Sequence, residues 1–219
     1  MKSILILLYM LFIMYGFSDP DPDPERFREE VNAYMESDTM APPPENCFLF
    51  LGSSSIRMWK SLESDFAGYP VVNRGFGGSH FSDAIFFFDE LVKQHNPAKI
   101  IIYEGDNDIA GNKNPDRIIR DLEKLLDMVR SNLTGTQIAV ISAKPSPSRW
   151  HLRAQYVELN KKIEDLAGRN EDLTYIDVFG HMLNNNGRPE PGLFLQDSLH
   201  MNAEGYKIWT RQIQPFIEK

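Results

Sequence analysis

Five short apolar runs punctuate the chain, with amphipathic stretches between them. Cys47 to Leu51 ends at Gly52, and Val71 with Val72 ends at Asn73. Lys99 to Tyr103 carries three successive isoleucines and leads into Glu104 and Gly105. Gln137 to Ser142 and Leu173 to Val178 complete the set. β-Branched residues dominate, and unbroken apolar runs of this length predict strands buried on both faces. Between the runs the period changes to that of a helix. Ile118, Ile119, Leu122, Leu125, Leu126 and Val129 fall on one helical face, as do Leu152, Tyr156, Leu159, Ile163 and Leu166. Residues 202–218 supply a last helix. Strands alternating with helices predict an α/β fold, a parallel sheet covered by helices on both sides.

The N-terminus follows a different pattern. Lys2 precedes an almost wholly apolar stretch, Ile4 to Phe17, shorter than the ~20 residues of a comfortable bilayer span. This predicts a secretory signal over residues 1–18, with Gly16 and Ser18 where cleavage would fall. The mature protein is then secreted or periplasmic and not inserted in a membrane; the alternative is an uncleaved N-terminal membrane anchor. Asp19 to Pro24 alternates Asp and Pro, the composition of an extended tether. Glu25 to Asp38 reads as a helix with Phe27, Val31, Tyr34 and Met35 on one face, stopped by Pro42 to Pro44. Residues 19–45 are thus a tether plus an N-terminal helix, and residues 46–219 the domain proper.

Composition narrows the function. A chain of 219 residues, 42% apolar and 25% charged, can bury a core without disulfides. The net charge of −8, with no run of Lys and Arg, argues against nucleic acid as a partner unless the fold gathers a basic patch. Cys47 is the one cysteine and lies in an apolar run, so it reads as a buried hydrophobe. That excludes an internal disulfide and a cysteine zinc site, and no convergent Asp/His set suggests another metal.

In a parallel α/β sheet, ligands bind beyond the carboxyl ends of the strands. Gly52, Ser53, Ser54 and Ser55 follow the first run, and Asn73, Arg74, Gly75, Phe76, Gly77, Gly78 and Ser79 the second. Glu104 to Asp108 follow the third, and Asp197, Ser198, Leu199 and His200 precede the last helix. Each group alone has a structural reading: a helix cap, a loop, a turn, a helix start. Together, at one rim, they form a kit for acyl transfer. A serine hydroxyl needs a base to take its proton, and histidine suits that role near neutral pH. An aspartate three positions earlier can hold the imidazole. Glycine-loop amides and the Asn107 side chain can donate to an oxyanion. Arg149, Trp150 and His80 are candidates for substrate contact. Arg57 and Arg74 flank the rim and read as ion-pair partners, with Asp106 and Asp108 as candidate acids. Phe86, Phe87 and Phe88 read as core.

These residues resemble the marker residues of the SGNH/GDSL hydrolases, a family of serine esterases and lipases. Ser, Gly, Asn and His fall on Ser54, Gly78, Asn107 and His200. Gly105-Asp106-Asn107-Asp108 and Asp197 to His200 match their blocks closely, whereas Ser53 replaces the usual aspartate of the first block. The nucleophile is the third residue of that block, which selects Ser54. The Gly-x-Ser-x-Gly elbow of the α/β-hydrolases is absent, because Ile56 takes the place of its second glycine. The resemblance implies a three-layer α/β/α, flavodoxin-like sandwich with five parallel strands. It implies a catalytic triad of Ser54, Asp197 and His200, an oxyanion hole from the amides of Ser54 and Gly78 with the Asn107 side chain, and no metal or organic cofactor. The expected activity is hydrolysis of carboxylic esters through an acyl-enzyme on a small-molecule or glycan substrate. Export and the lack of a long apolar insertion favour short acyl groups, such as acetyl on carbohydrate. The alternatives are a lysophospholipase or lipase acting on longer chains, and a non-catalytic glycan-binding domain.

Overall fold

The computed structural model describes residues 21–219; the expected signal segment lies outside the described residues. After a short 3-10 turn, α1 spans Arg28–Met40. The chain then runs through β1 (Phe48–Gly52), α2 (Ser54–Arg57), α3 (Leu62–Asp65), β2 (Val71–Gly75), α4 (Phe81–Phe86) and α5 (Phe88–Leu91). It continues through β3 (Lys99–Tyr103), α6 (Asp106–Ala110), α7 (Pro115–Asn132), β4 (Gln137–Ile141), α8 (Arg153–Ala167), β5 (Leu173–Ile176) and α9 (Ala203–Ile217). All neighbouring strands are parallel, in the order β2-β1-β3-β4-β5. This is the flavodoxin-like order, whose switch point lies between β1 and β3.

The unbroken apolar runs are explained by two cores. Leu49, Leu51, Ile100, Ile102, Ile138 and Val140 face one side, with α1, α4, α5, α7 and α8. Phe50, Ile101, Tyr103, Ala139 and Ile141 face the other, with α9 and Leu62 of α3. Trp209 of α9 is fully buried there, its ring centroid 4.6 Å from that of Tyr103 and 5.9 Å from that of Trp59. The helix with the expected apolar face, α7, starts where Asn114 accepts from the Arg117 amide and Pro115 takes the first position. Lys99 at the start of β3 is buried and donates to the Phe216 and Ile217 carbonyls at 2.8 Å each, placing a cation at the C-terminal end of α9. Phe87 and Phe88 are buried, and Phe86 is 47% exposed.

Two features depart from the sequence pattern. β2 does not stop at Val72 but continues through Asn73, Arg74 and Gly75, which pair with Phe50, Leu51 and Gly52. It is an edge strand, so polar side chains there can turn to the rim: Arg74 leaves the sheet to bind Asp38 and stack on the Tyr34 ring. The acidic tether is also pinned where it is described. Asp21 lies 2.6 Å from both Lys113 and Arg117. The N-terminal helix belongs to the main core through Phe27 and Val31, and burial of two such side chains stabilises by roughly 1.5–3 kcal/mol each. Among the described residues, no helix is long and apolar enough to cross a membrane.

Candidate active site

β1 delivers Ser54 to the rim through a tight step. Gly52 has φ +152°, and a Cβ there would lie 2.2 Å from the Tyr103 carbonyl oxygen of β3. No side chain fits where the two strands separate, and the chain turns directly into α2. Of the three serines, Ser53 and Ser55 are each 1% exposed, with no partner for the hydroxyl among the described residues. Ser54 is the one that faces the imidazole: its Oγ lies 2.9 Å from His200 Nε2.

The loop before α9 holds the other two groups. His200 Nδ1 is 2.6 Å from Asp197 Oδ2. The second oxygen, Oδ1, accepts from the backbone amides of Leu199 and His200 at 2.9 Å each. Burial is the largest single influence on Asp197 and opposes its charge, but the bonds from His200 and the two amides together outweigh it and bring its pKa down to about 2. Ser198 takes a left-handed conformation, φ +57°, which bends this turn back on itself. Asn202 then caps α9 by accepting from Glu204 and Gly205. A carboxylate fixed from both sides sets the ring orientation and can stabilise an imidazolium.

The candidate donors for an anion are Gly78 and Asn107. Gly78 has φ +84° and open space where a Cβ would point, so its amide is presented without obstruction. Asn107 is the second residue of α6, after Asp106. One hydrogen of its Nδ2 goes to the Ser79 carbonyl at 3.0 Å, and its Oδ1 accepts from Arg149 Nη2 at 3.0 Å. The amide is therefore fixed in one orientation, with its second N–H available. Arg149 also reaches the Asp106 carbonyl at 3.2 Å and the Asp106 carboxylate at 3.3 Å. Burial would raise the Asp106 pKa, but Lys144 at 3.2 Å and Arg149 win and hold it below the usual carboxylate range.

A buried acidic layer lies under this floor. Glu104 accepts from Ser79 Oγ at 2.5 Å, and its second oxygen has no partner among the described residues. Burial, with Asp108 nearby, pushes Glu104 well above its ordinary range. Asp108 sits 2.9 Å from Lys113, yet burial still raises it to about 6.

The three candidates for substrate contact have different environments. Arg149 is turned onto Asn107 and Asp106. His80 is buried with its ring beside Gly111 and Nδ1 3.9 Å from Asp108. Burial, with Lys113 near, lowers its pKa to about 4. Trp150 is half-buried at the rim, stacked on Phe179 at 6.4 Å. Arg57 and Arg74 do form ion pairs, but with Glu30 and Asp38 of α1. Asp106 and Asp108 take Lys144, Arg149 and Lys113 instead. Sequence reasoning missed Glu104, Lys144 and the grip of α1 on the glycine loop, where Glu30 accepts from the Gly77 amide at 3.3 Å and Tyr34 Oη donates to the Gly75 carbonyl at 2.6 Å. For Lys144, the available signal was its place just past the end of β4. Among the described residues, no group of His, Cys, Asp and Glu could hold a metal ion.

A flavodoxin-like sheet with a serine, an imidazole and a carboxylate in register at its C-terminal rim defines a class, the serine hydrolases of the three-layer α/β/α type. Residues 51–208 match the GDSL-like lipase/acylhydrolase family, and the chain belongs to that family. It is an ester-bond hydrolase. Solved structures agree on the fold. A Streptococcus pneumonia protein provisionally described as a platelet activating factor is 20% identical, with a TM-score of 0.79 over 88% of this chain and 93% of that one. A GDSL-like lipase from Bacteroides thetaiotaomicron is 23% identical, with a TM-score of 0.75 over 86% and 97%. An acetylxylan esterase from Geobacillus stearothermophilus, solved as a catalytic mutant, is 15% identical, with a TM-score of 0.67 over 78% and 94%. No curated protein matches the chain significantly.

Proposed function

We propose that this hydrolase is an exported serine esterase that removes short acyl groups, acetyl above all, from carbohydrate. The observation that carries the reading is the aligned relay, Ser54 Oγ to His200 Nε2 at 2.9 Å and His200 Nδ1 to Asp197 at 2.6 Å. His200 takes the Ser54 proton as Oγ attacks the ester carbonyl. The amides of Ser54 and Gly78 and the free N–H of Asn107 receive the charge that develops on the carbonyl oxygen. His200 then protonates the leaving alcohol, and a water activated by the same ring hydrolyses the acyl-enzyme. No step calls for a metal or cofactor.

Short acyl groups are favoured by the surface. Among the described residues, the exposed large hydrophobics are Met40, Phe86, Val157 and Leu195, and of these only Leu195 belongs to the catalytic loop region. One apolar side chain offers no bed for a fatty chain. A structural relative acts on acetylxylan, which supports carbohydrate as the alcohol part. Lys2 and the apolar stretch behind it support export. The test is hydrolysis of p-nitrophenyl acetate, butyrate and octanoate by the full chain and by Ser54→Ala. Acetate should be the best substrate and Ser54→Ala inactive. A maximum at octanoate would replace the short-acyl reading with a lipase, and turnover surviving in Ser54→Ala would remove Ser54 from the mechanism.

A further inference from the structure

Beyond the catalytic loop, the rim past β4 and β5 carries an arrangement that the reaction itself does not use. The guanidinium carbons of Arg153 and Arg188 lie 5.4 and 5.7 Å from the centroid of the same Trp150 ring. The two cations are thereby held within about 11 Å of each other. Neither has an ion pair or a side-chain hydrogen bond among the described residues. The third arginine of this rim, Arg149, is instead committed to Asp106 and Asn107. The nearby acid, Asp177, is turned to the backbone, accepting from the Phe179 amide at 2.9 Å. Two like charges against one ring repel each other, and an anion bound by both would offset that repulsion while using guanidinium geometry suited to carboxylates.

The position ties this cluster to the site. Trp150 directly follows Arg149, which holds the Asn107 amide, and the Ser148 amide donates at 3.1 Å to the carbonyl of Ser198 in the catalytic loop. Arg188 precedes the segment 189–194 that leads into that loop. A group on the sugar part of an ester bound at Ser54 would extend along this rim.

We propose that Trp150, Arg153 and Arg188 form a subsite for a carboxylate on the carbohydrate part of the substrate, so that the preferred ester is an O-acetylated glycan containing uronic acid. This rests on the carbohydrate-ester reading above. The Arg153 and Arg188 guanidinium groups bind the anion, and both lie against the Trp150 ring.

The experiment compares O-acetylated oligogalacturonate with the same oligosaccharide whose carboxylates are methyl-esterified, in the parent and in Arg153→Gln/Arg188→Gln. The expected result is about a tenfold or greater preference in kcat/KM for the free carboxylate, shrinking with added salt and falling to near unity in the double variant. Arg211→Gln, on the exposed side of α9, should keep the parent preference. Equal turnover of the two oligosaccharides by the parent, or a preference the double variant retains, would overturn the proposal. A charge-dependent preference for 1-acetylglycerol 3-phosphate over the acetylated glycan would also overturn it, by assigning the cluster to a phosphate. Binding of unacetylated oligogalacturonate by calorimetry, to Ser54→Ala and to Ser54→Ala carrying both glutamines, separates this from the esterase reading. Binding lost with the arginines supports the subsite even where p-nitrophenyl acetate is not hydrolysed, and equal binding by the two proteins refutes it.

Discussion

Arg149 offers a sharp test of how the anion-binding side of this site works, because its place implies action through another residue. Replacing it with alanine removes the 3.0 Å bond to Asn107 Oδ1, one of the two contacts that fix the Asn107 amide. A hydrogen bond from a charged donor is worth about 1.5–3 kcal/mol. If all of it serves to orient the amide, kcat falls about 10- to 100-fold. Losing the donor outright costs about 10²–10³ in kcat, so Asn107→Ala sets the ceiling. Asp106 keeps Lys144 at 3.2 Å and its carbonyl keeps Tyr156 Oη at 3.2 Å, so the floor of the site stays paired. The assay is kcat and KM on p-nitrophenyl acetate for Arg149→Ala, Asn107→Ala and the double variant. The expected pattern is a kcat effect with KM little changed, and a double variant no slower than Asn107→Ala. Arg149→Lys should restore only part of the rate, because an ammonium cannot fork between Asp106 and Asn107. If Arg149→Ala slows the Asn107→Ala enzyme by the same factor as the parent, the two residues act independently, and the reasoning fails.

Other predictions concern the buried charges. Lys113→Met strips Asp108 of its 2.9 Å partner and should destabilise by about 3–5 kcal/mol in chemical denaturation, with Asp108→Asn in the same background recovering part of the loss. Burial drives Glu104 toward its uncharged form, so Glu104→Gln should keep near-parent kcat at neutral pH; a tenfold fall in kcat would mean that Glu104 works ionised. Its folded pKa lies above the unfolded one, so its stabilisation is complete below the unfolded value and is lost as pH rises through the folded one. Glu104→Gln should therefore gain stability over the parent as pH rises above the ordinary carboxylate range. His95 has the opposite sign. Burial, with Arg74 donating to Nε2 at 3.3 Å, keeps the ring neutral and lowers its pKa from 6.5 to about 4. Its contribution is present above pH 6.5 and fades as pH falls through 4, by at most about 3 kcal/mol. His95→Gln should flatten the acid limb of a stability–pH profile.

The strands, the two-sided helix cover and the residues brought to one rim are all legible in the sequence, because each is a local signal. A run of β-branched residues, a cluster of glycines after a strand and an aspartate three positions before a histidine need no distant partner to be recognised. What holds these residues in place is not local. Asn107 is oriented by Arg149, 42 positions away, and Asp106 is neutralised by Lys144, 38 positions away. Gly77 is gripped by Glu30, 47 positions earlier. Nothing in the spacing of a lone lysine or glutamate indicates such a partner. The polar end of β2 is hidden for a related reason: Asn73 and Arg74 read as loop until the edge of the sheet gives Arg74 a way out to Asp38.

The contacts of α1 decide where this protein can be cut for laboratory use. Expression of residues 46–219 alone, the natural choice from the sequence, would remove Phe27 from the edge-on packing it makes with Phe76 at 5.2 Å, and with it the Tyr34 and Glu30 bonds to Gly75 and Gly77. Such a fragment would retain the serine, the histidine and the aspartate and yet have a loosened oxyanion loop. Its failure to turn over an ester would then be mistaken for a pseudoenzyme or for the wrong substrate. An expression boundary before Asp21 keeps the Lys113 and Arg117 pairs as well, and is the one against which substrate screens should be run.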